Sequence, residues 1–425
     1  MKFIHVGAFF KKLGPGLTTG AADDDPSGIA TYSQAGAQTG FSFLWMSLFT
    51  YPFMMVAQEM CARIGLVTGK GLAANIREHY PKWLLYLMTI LLFAANAFNI
   101  GADLGAMAEA TRLLFPTLPF ALLVLGFTLI SLGLQIFLSY HVYSKFLKWM
   151  SFALFAYIIT AFLIPLDWSE VFSRTVFPRF SFTKDSWVLI AAILGTTISP
   201  YLFFWQTSQE VEEKMEHKGV LLNDAPQEEP AEVERAEITD MRVDVFTGMF
   251  VSNIVMFFII VVCASTLFGA GITNITSAAD AAAALKPFLG EGSSLIFTLG
   301  IIGAGLLAVP ILAGSASYAI SESLRWKFGL YHKLHEAYAF YGVIAFAMVV
   351  GFALNFIGLN PIKALIYSSV ANCIVAPLAL ILIIKIASDK GIMGRYANNR
   401  FTTFFGWVLV AIMALASLGI LVTLP

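Results

Sequence analysis

The sequence predicts an all-α integral membrane protein of eleven spans, built as two inverted five-helix repeats plus an eleventh helix, with helices 1 and 6 broken. Three observations carry that reading. Of 425 residues, 58% are hydrophobic and 12% charged, with a mean hydropathy of +0.77, whereas a soluble domain carries about 25% charged residues. Apolar stretches near the length a bilayer requires recur along almost the whole chain. Two of these stretches, five spans apart, are interrupted: by Asp23-Asp24-Asp25-Pro26-Ser27-Gly28, and by Gly195-Thr196-Thr197-Ile198-Ser199-Pro200-Tyr201. An inverted five-plus-five repeat produces that spacing and brings the two breaks together near the bilayer midplane.

The first span, 12–38, holds three carboxylates, a helix breaker and a glycine. A charge at the bilayer centre costs roughly 2.5–3.5 kcal/mol on insertion scales, and proline and glycine release carbonyls that lipid cannot satisfy. Such a segment persists where it faces protein or a water-filled cavity. A broken helix whose carboxylate and freed carbonyls hold a cation is the economical reading. The second to fifth spans follow at 41–64, 83–114, 119–139 and 144–166, completing a first repeat over about 12–166. The sixth to tenth, 186–210, 243–271, 293–323, 336–358 and 361–387, form the second. The eleventh, 402–424, is accessory. The third and eighth exceed a bilayer's thickness and are expected to tilt or project from it. Between the sixth and seventh lies a loop at 209–241 rich in Glu, Lys, Asp and Pro, read as a solvated linker with a regulatory or metal-sensing segment as the alternative.

Charge sets the orientation. With the N-terminus inside, Arg112, Arg174, Arg179, Lys184, Lys286 and Lys363 face outside, and the other twenty of the 26 basic residues face inside. That bias places the N-terminus in the cytoplasm and Pro425 outside, in a multi-pass protein of the cell membrane. No long basic run marks a nucleic-acid partner, and no obligate protein partner is inferred. Cys61, Cys263 and Cys373 stand far apart in apolar helices, as packing residues rather than a disulfide framework or metal site. The N-terminal segment does not read as a cleavable signal peptide. No nucleophile–base constellation, phosphate loop or zinc motif marks an enzyme, and no cofactor is expected.

Gly14-Pro15, the Asp25-Pro26 break, Ile29-Ala30-Thr31 and Gln34-Ala35-Gly36-Ala37 resemble the first helix of the Nramp divalent-metal transporters. So do Ala62-Arg63-Ile64-Gly65-Leu66-Val67-Thr68-Gly69-Lys70, Ala102-Asp103-Leu104, Ser388-Asp389 and Ile392-Met393-Gly394 in their places. The resemblance covers nearly the whole chain and implies the LeuT-type fold and alternating access. It implies a metal site at Asp25, Gly28, Thr196 and Ser199. Three of these, Gly28, Thr196 and Ser199, depart from the family pattern. Gly28 stands where the family has asparagine in Asp-Pro-Gly-Asn, and Ser199 and Tyr201 stand for methionine and histidine in Met-Pro-His. Thr196 corresponds to the alanine whose carbonyl faces the ion, and Ala106 to the acid that accompanies Asp103.

The chemistry of these departures points to a hard ion. Thioether sulfur suits softer transition metals; carboxylate, hydroxyl, carbonyl and water suit Mg²⁺ and also Mn²⁺. Losing methionine and asparagine is expected to leave a roomy site for a partly hydrated Mg²⁺, which sheds water reluctantly. The pattern resembles the Nramp-related magnesium transporters. Asp23 and Asp24 are candidates for the ion's path, although residues about 100° apart on a helix cannot all face one point. Asp103, Tyr201, Asn253 and Asn372 are further pathway or coupling candidates; structural ion pairing for Asp103 and interhelical hydrogen bonding for the asparagines are the alternatives. His5, His79, His141, His217, His332 and His335 all fall near loops or span ends. The expectation is Mg²⁺ uptake, with Mn²⁺ as a second substrate, without obligatory proton coupling. The alternatives are a proton-coupled Mn²⁺/Fe²⁺ symporter, a small-solute or amino-acid symporter on the same fold, and a membrane protein that binds without transporting.

Overall fold

The computed structural model describes residues 14–137, 152–179, 183–217 and 233–423. The first expected span is two half-helices, α1 (Pro15–Asp23) and α2 (Pro26–Thr39). Each begins with proline, whose fixed φ suits the first helical position and whose missing N–H would be unpaired there anyway. Asp24 and Asp25 fill the gap. Asp24 has a non-helical backbone (φ −84°, ψ 47°) and Asp25 is the extended N-cap of α2.

The rest follow as α3 (Trp45–Thr68), α4 (Leu72–His79), α5 (Lys82–Leu114), α6 (Phe120–Phe137), α7 (Phe155–Leu163), α8 (Trp168–Val176), α9 (Lys184–Thr197), α10 (Pro200–His217) and α11 (Arg235–Cys263). Then come α12 (Ala278–Ala283), α13 (Lys286–Leu289), α14 (Ser293–Leu324), α15 (Tyr338–Leu354), α16 (Pro361–Ser388), α17 (Lys390–Met393) and α18 (Arg400–Thr423). The sixth span breaks between α9 and α10, with Pro200 opening the second half. Among the described residues, seven segments are long and apolar enough to cross a membrane, α9 and α10 counting together as one. The axis turns by 107° between Pro26–Phe43 and Trp45–Thr68. At 1.5 Å per residue the 24 residues of α3 reach about 36 Å. So α1 and α2 make one broken span and α3 the next.

Most expected bounds agree with the helices to within a few residues. The described part of the fifth span, 144–166, is a short 3-10 turn and α7; the remainder lies outside the described residues. The loop at 209–241 is shorter than its composition suggests. Helix α10 continues to His217 because Gln206 bonds Glu210 one turn on (2.8 Å) and Glu210 is buried. Helix α11 begins at Arg235 on a capping box, in which Glu237 accepts from the Glu234 amide at 3.0 Å. Residues 218–232 lie outside the described residues.

Helix α11 holds both halves of the first span. Gly16 and Gly20, four apart on α1, let its backbone lie directly against Asp244, Val245 and Gly248, where any Cβ would strike main-chain atoms. This is the small-xxx-small contact of membrane helices. Asp244 accepts from the amides of Gly14 (2.9 Å), Gly16 (2.6 Å) and Leu17 (3.0 Å). It thereby satisfies N–H groups that the first turn of a helix leaves without partners.

Candidate functional site

The two breaks meet. The phenol of Tyr201, in the first turn of α10, donates to the carbonyl of Ala22 at the end of α1 (3.0 Å). Ser27, opening α2, lies 3.4 Å from the hydroxyl of Thr196 at the end of α9. Asp25 sits between them, buried, with its carboxylate gripped by three donors. One oxygen accepts from the Ser27 hydroxyl (2.6 Å) and the Gly28 amide (2.7 Å), the other from the Asn99 side chain (3.0 Å). Asn99 is held in turn by the hydroxyl of Ser368 (2.7 Å). Three helices, α2, α5 and α16, therefore orient one carboxylate. Each oxygen of a carboxylate has about two acceptor positions, so this grip leaves capacity for a cation.

Ser199 donates to the carbonyls of Gly195 (2.6 Å) and Thr196 (2.9 Å), the second being the acceptor that Pro200, without an N–H, cannot serve. Its oxygen keeps lone pairs. Asp25, Ser27, Thr196 and Ser199 together offer oxygen and neither sulfur nor imidazole. Oxygen donors of this kind are the type that hard divalent cations take. Among the described residues no three His, Cys, Asp or Glu side chains converge as a metal cage.

The space expected from losing asparagine at position 28 is not there. A Cβ on Gly28 would come within 3.2–3.3 Å of the Asp23 carbonyl, the Thr196 hydroxyl and the Tyr32 ring. Asp23, Asp24, Asp25, Thr196, Ser199, Tyr201 and Asp103 are each at most 5% exposed. The breaks have closed on each other, and a hydrated ion enters only if they part.

The remaining candidates divide. Asp23 and Asp24 share one donor, the Ser252 hydroxyl of α11, at 2.7 and 3.1 Å, while the second oxygen of Asp23 is buried with no hydrogen-bond partner among the described residues. Asp103 lies one helical turn beyond Asn99. It is fully buried, and neither oxygen has a hydrogen-bond partner among the described residues. No ion pair anchors it there. Asn253 is directed elsewhere, toward Thr50 (3.4 Å) and the sulfur of Met54 (3.0 Å), the interhelical role weighed for it. Asn372 is buried, with neither amide atom bonded among the described residues, beside Ser369 and Cys373, which press on Gly195 at the second break.

Asn99, Ser27 and Ser252 were not singled out by the sequence. Asn99 and Asp103 are i and i+4 on one face, and that pairing of polar residues in a long apolar helix is the signal that points to Asn99. Ser27 is visible as a hydroxyl two residues after an N-cap aspartate. Ser252 has no distinguishing signal.

The model of the Nramp family, "natural resistance-associated macrophage protein-like", matches residues 16–423. A divalent metal cation transporter MntH of Aeromonas hydrophila is 24% identical over 410 residues, covering 94% of this chain and 93% of its own. Among solved structures, a manganese transporter of Eremococcus coleocola superposes with a TM-score of 0.74 at 17% identity, covering 100% of this chain and 88% of that one. Inward-facing Mhp1 does so with a TM-score of 0.55 at 15% identity, covering 97% and 90%. The architecture is thus the LeuT-type fold, with helices 1 and 6 broken.

Proposed function

The chain belongs to the Nramp family, and from that premise we propose that it carries divalent metal cations across the membrane by alternating access, with Mg²⁺ as the preferred ion and Mn²⁺ as a second. It is a transporter rather than an enzyme and takes no cofactor beyond its cargo. It works as a multi-pass membrane protein in the lipid bilayer. We read the N-terminus as cytoplasmic and the C-terminus as outside, from the distribution of basic residues. We assign the repeats to about 12–166 and 186–387.

The observation that supports the ion choice is the oxygen-only donor set around a single clamped carboxylate. Asp25 supplies the charge. Thr196 and Ser199 supply hydroxyls or carbonyls. Bound waters complete the coordination that Mg²⁺ demands. A proton-coupled Mn²⁺ or Fe²⁺ symporter is the second reading, favoured by the unbonded carboxylate of Asp103 and by the manganese transporter among the structural neighbours. An amino-acid symporter is disfavoured, because Asp25 occupies the break where a substrate carboxylate would need free helix N-termini.

Uptake of Mg²⁺, Mn²⁺ and Ca²⁺ into proteoliposomes tests the proposal. Mg²⁺ and Mn²⁺ should enter, and Asp25→Ala should abolish both while the protein stays folded. Uptake by that variant at the wild-type rate, at equal incorporation, removes Asp25 as the principal ligand. No flux of any of the three ions through the wild-type protein removes the function.

A further inference from the structure

Beyond the first break, on the side toward which α2 runs, the chain closes over a small apolar cavity of about 10 Å³. Ile29 and Ala30 of α2, Ala106 of α5, Phe297 of α14 and Leu365 of α16 line it, and Ile275 covers it. It holds one water at most, so a hydrated ion does not pass. Ile29 follows Gly28 directly, which places the cavity next to the break. The cover belongs to residues 273–276, which join α11 to α12. Thr273, Asn274 and Thr276 are exposed there, whereas Ile275 is only 3% exposed. One residue of this strap is therefore set into the protein and its neighbours face away.

Gln34 holds the strap. It stands on α2 two turns beyond Pro26, about 12 Å along the axis, and is buried. Its amide oxygen accepts from the Ile275 N–H at 2.9 Å. Its amide nitrogen lies within bonding distance of the Thr273 carbonyl (3.1 Å), the Asn274 side chain (3.3 Å) and Gln38 (2.9 Å). A backbone N–H only donates and a carbonyl only accepts, so the orientation of this amide is fixed, and only a side chain that both donates and accepts makes the two bonds. At the other edge Asn360, the N-cap of α16, donates to the Thr276 carbonyl at 3.1 Å. The strap is thus tied to α2 and to α16. Upstream it is pliant. The chain leaves α11 through a π-helical turn, Ala264–Phe268, and then Gly271, whose φ of +77° glycine adopts without steric cost and whose surroundings are open.

We propose that residues 273–276 are a lid over the external approach to the breaks, with Ile275 as its plug and Gln34 as the positioning residue that couples it to α2. The inference rests on the transport reading and adds a moving part to it. Asp25 caps one end of α2 and Gln34 lies toward the other, so a tilt of α2 that parts the breaks also pulls on the lid. Neutral hydrogen bonds of this kind are worth little in net terms, because water replaces them when they open. The latch is therefore reversible. Loss of the Gln34 amide should raise the fraction of molecules with the lid lifted and leave the helix packing beneath it in place.

The test uses the full chain in lipid nanodiscs and needs neither metal nor flux, so its result is separate from that of the uptake assay. Ala30→Cys places a thiol in the cavity wall, and a charged, water-soluble methanethiosulfonate reports its exposure by peptide mass mapping. In that background Gln34→Leu should raise the labelling rate at position 30 by about tenfold, which corresponds to about 1.4 kcal/mol in the opening equilibrium. Gln38→Leu removes a partner of Gln34 but none of the lid, and should leave the rate unchanged. Cys61 and Cys373, buried on α3 and α16, should stay unlabelled throughout. Gln34→Glu keeps an acceptor for the Ile275 amide and loses the donor to Thr273. It should raise the rate by less, and it takes the place of Gln34→Leu if that variant does not fold. The proposal falls if position 30 already labels rapidly with Gln34 in place, or if neither Gln34 variant raises the rate. It falls equally if Gln38→Leu has the same effect, or if Gln34→Leu exposes Cys61 and Cys373 as much as position 30, which is general loosening rather than a lifted lid.

Discussion

Asp25 combines two roles that ordinarily conflict. As N-cap of α2 it accepts from Ser27 and Gly28, and as the ion ligand we propose it must still attract a cation. Asn99 reconciles them by fixing the second oxygen from α5, so the carboxylate is oriented before a cation arrives. On that proposal, selectivity rests on the neighbouring residues. Ser199→Met introduces a soft ligand and should raise the affinity for Cd²⁺ or Mn²⁺ relative to Mg²⁺, by about tenfold for about 1.4 kcal/mol of differential binding. Gly28→Asn should add to that shift, but the Tyr32 ring and the Thr196 hydroxyl must first give by a few tenths of an ångström, so its uptake rate should fall as well. Calorimetry of the double variant decides: an unchanged metal preference means that positions 28 and 199 do not share one site. Asp25's place at the break was legible in the sequence, because a carboxylate directly before a proline sits where a second half-helix starts. The closeness of Gly28 to its neighbours was not, because a ring from one turn away fills the space that a lost side chain leaves.

The breaks themselves were legible at the scale of the element, since Pro26 and Pro200 each mark the first residue of a second half-helix. Short helices such as α4, α8, α12 and α17 were not, because segments of four to nine residues carry too few apolar repeats to register against long spans. Nor was the clamp on α1. Asp244 lies at the second position of the expected seventh span, 243–271, with nothing in the sequence to single it out, yet it is buried and bonded to three amides of the first half-helix. Its loss strands those donors. A buried donor left unpaired costs about 1–3 kcal/mol, so Asp244→Ala should lower stability by on the order of 3 kcal/mol, whereas Asp244→Asn, which keeps one acceptor oxygen, should lose less. Tryptophan-fluorescence unfolding in detergent reads both. Equal midpoints for Asp244→Ala and wild type would mean that glycine packing alone seats α1.

For the whole molecule the open question is what drives the ion. A membrane potential is worth about 2.3 kcal/mol per charge per 100 mV, and hence about twice that for a dication; uptake into a negative interior needs no second ion. The described histidines support this economy. His79 ends α4, His217 ends α10, 17 residues on from Pro200, and His332 and His335 lie between α14 and α15, so none of these lies beside the breaks in the chain; His5 and His141 lie outside the described residues. Ala106, where the family resemblance places an acid, instead lines a small apolar cavity with Ile29, Ala30 and Phe297. Against this stands Asp103, a buried carboxylate one turn from the Asn99 clamp and without a hydrogen bond of its own. Uptake should therefore follow an imposed inside-negative potential and be nearly indifferent to a pH gradient at fixed potential. A pH-sensitive dye trapped in the vesicles gives the decisive reading. If entry of Mg²⁺ or Mn²⁺ acidifies the lumen, and Asp103→Asn removes that signal while sparing metal flux, protons travel with the metal and Asp103 carries them. If the lumen stays neutral while metal enters, the potential alone suffices, and the same substitution should leave the voltage dependence of uptake intact.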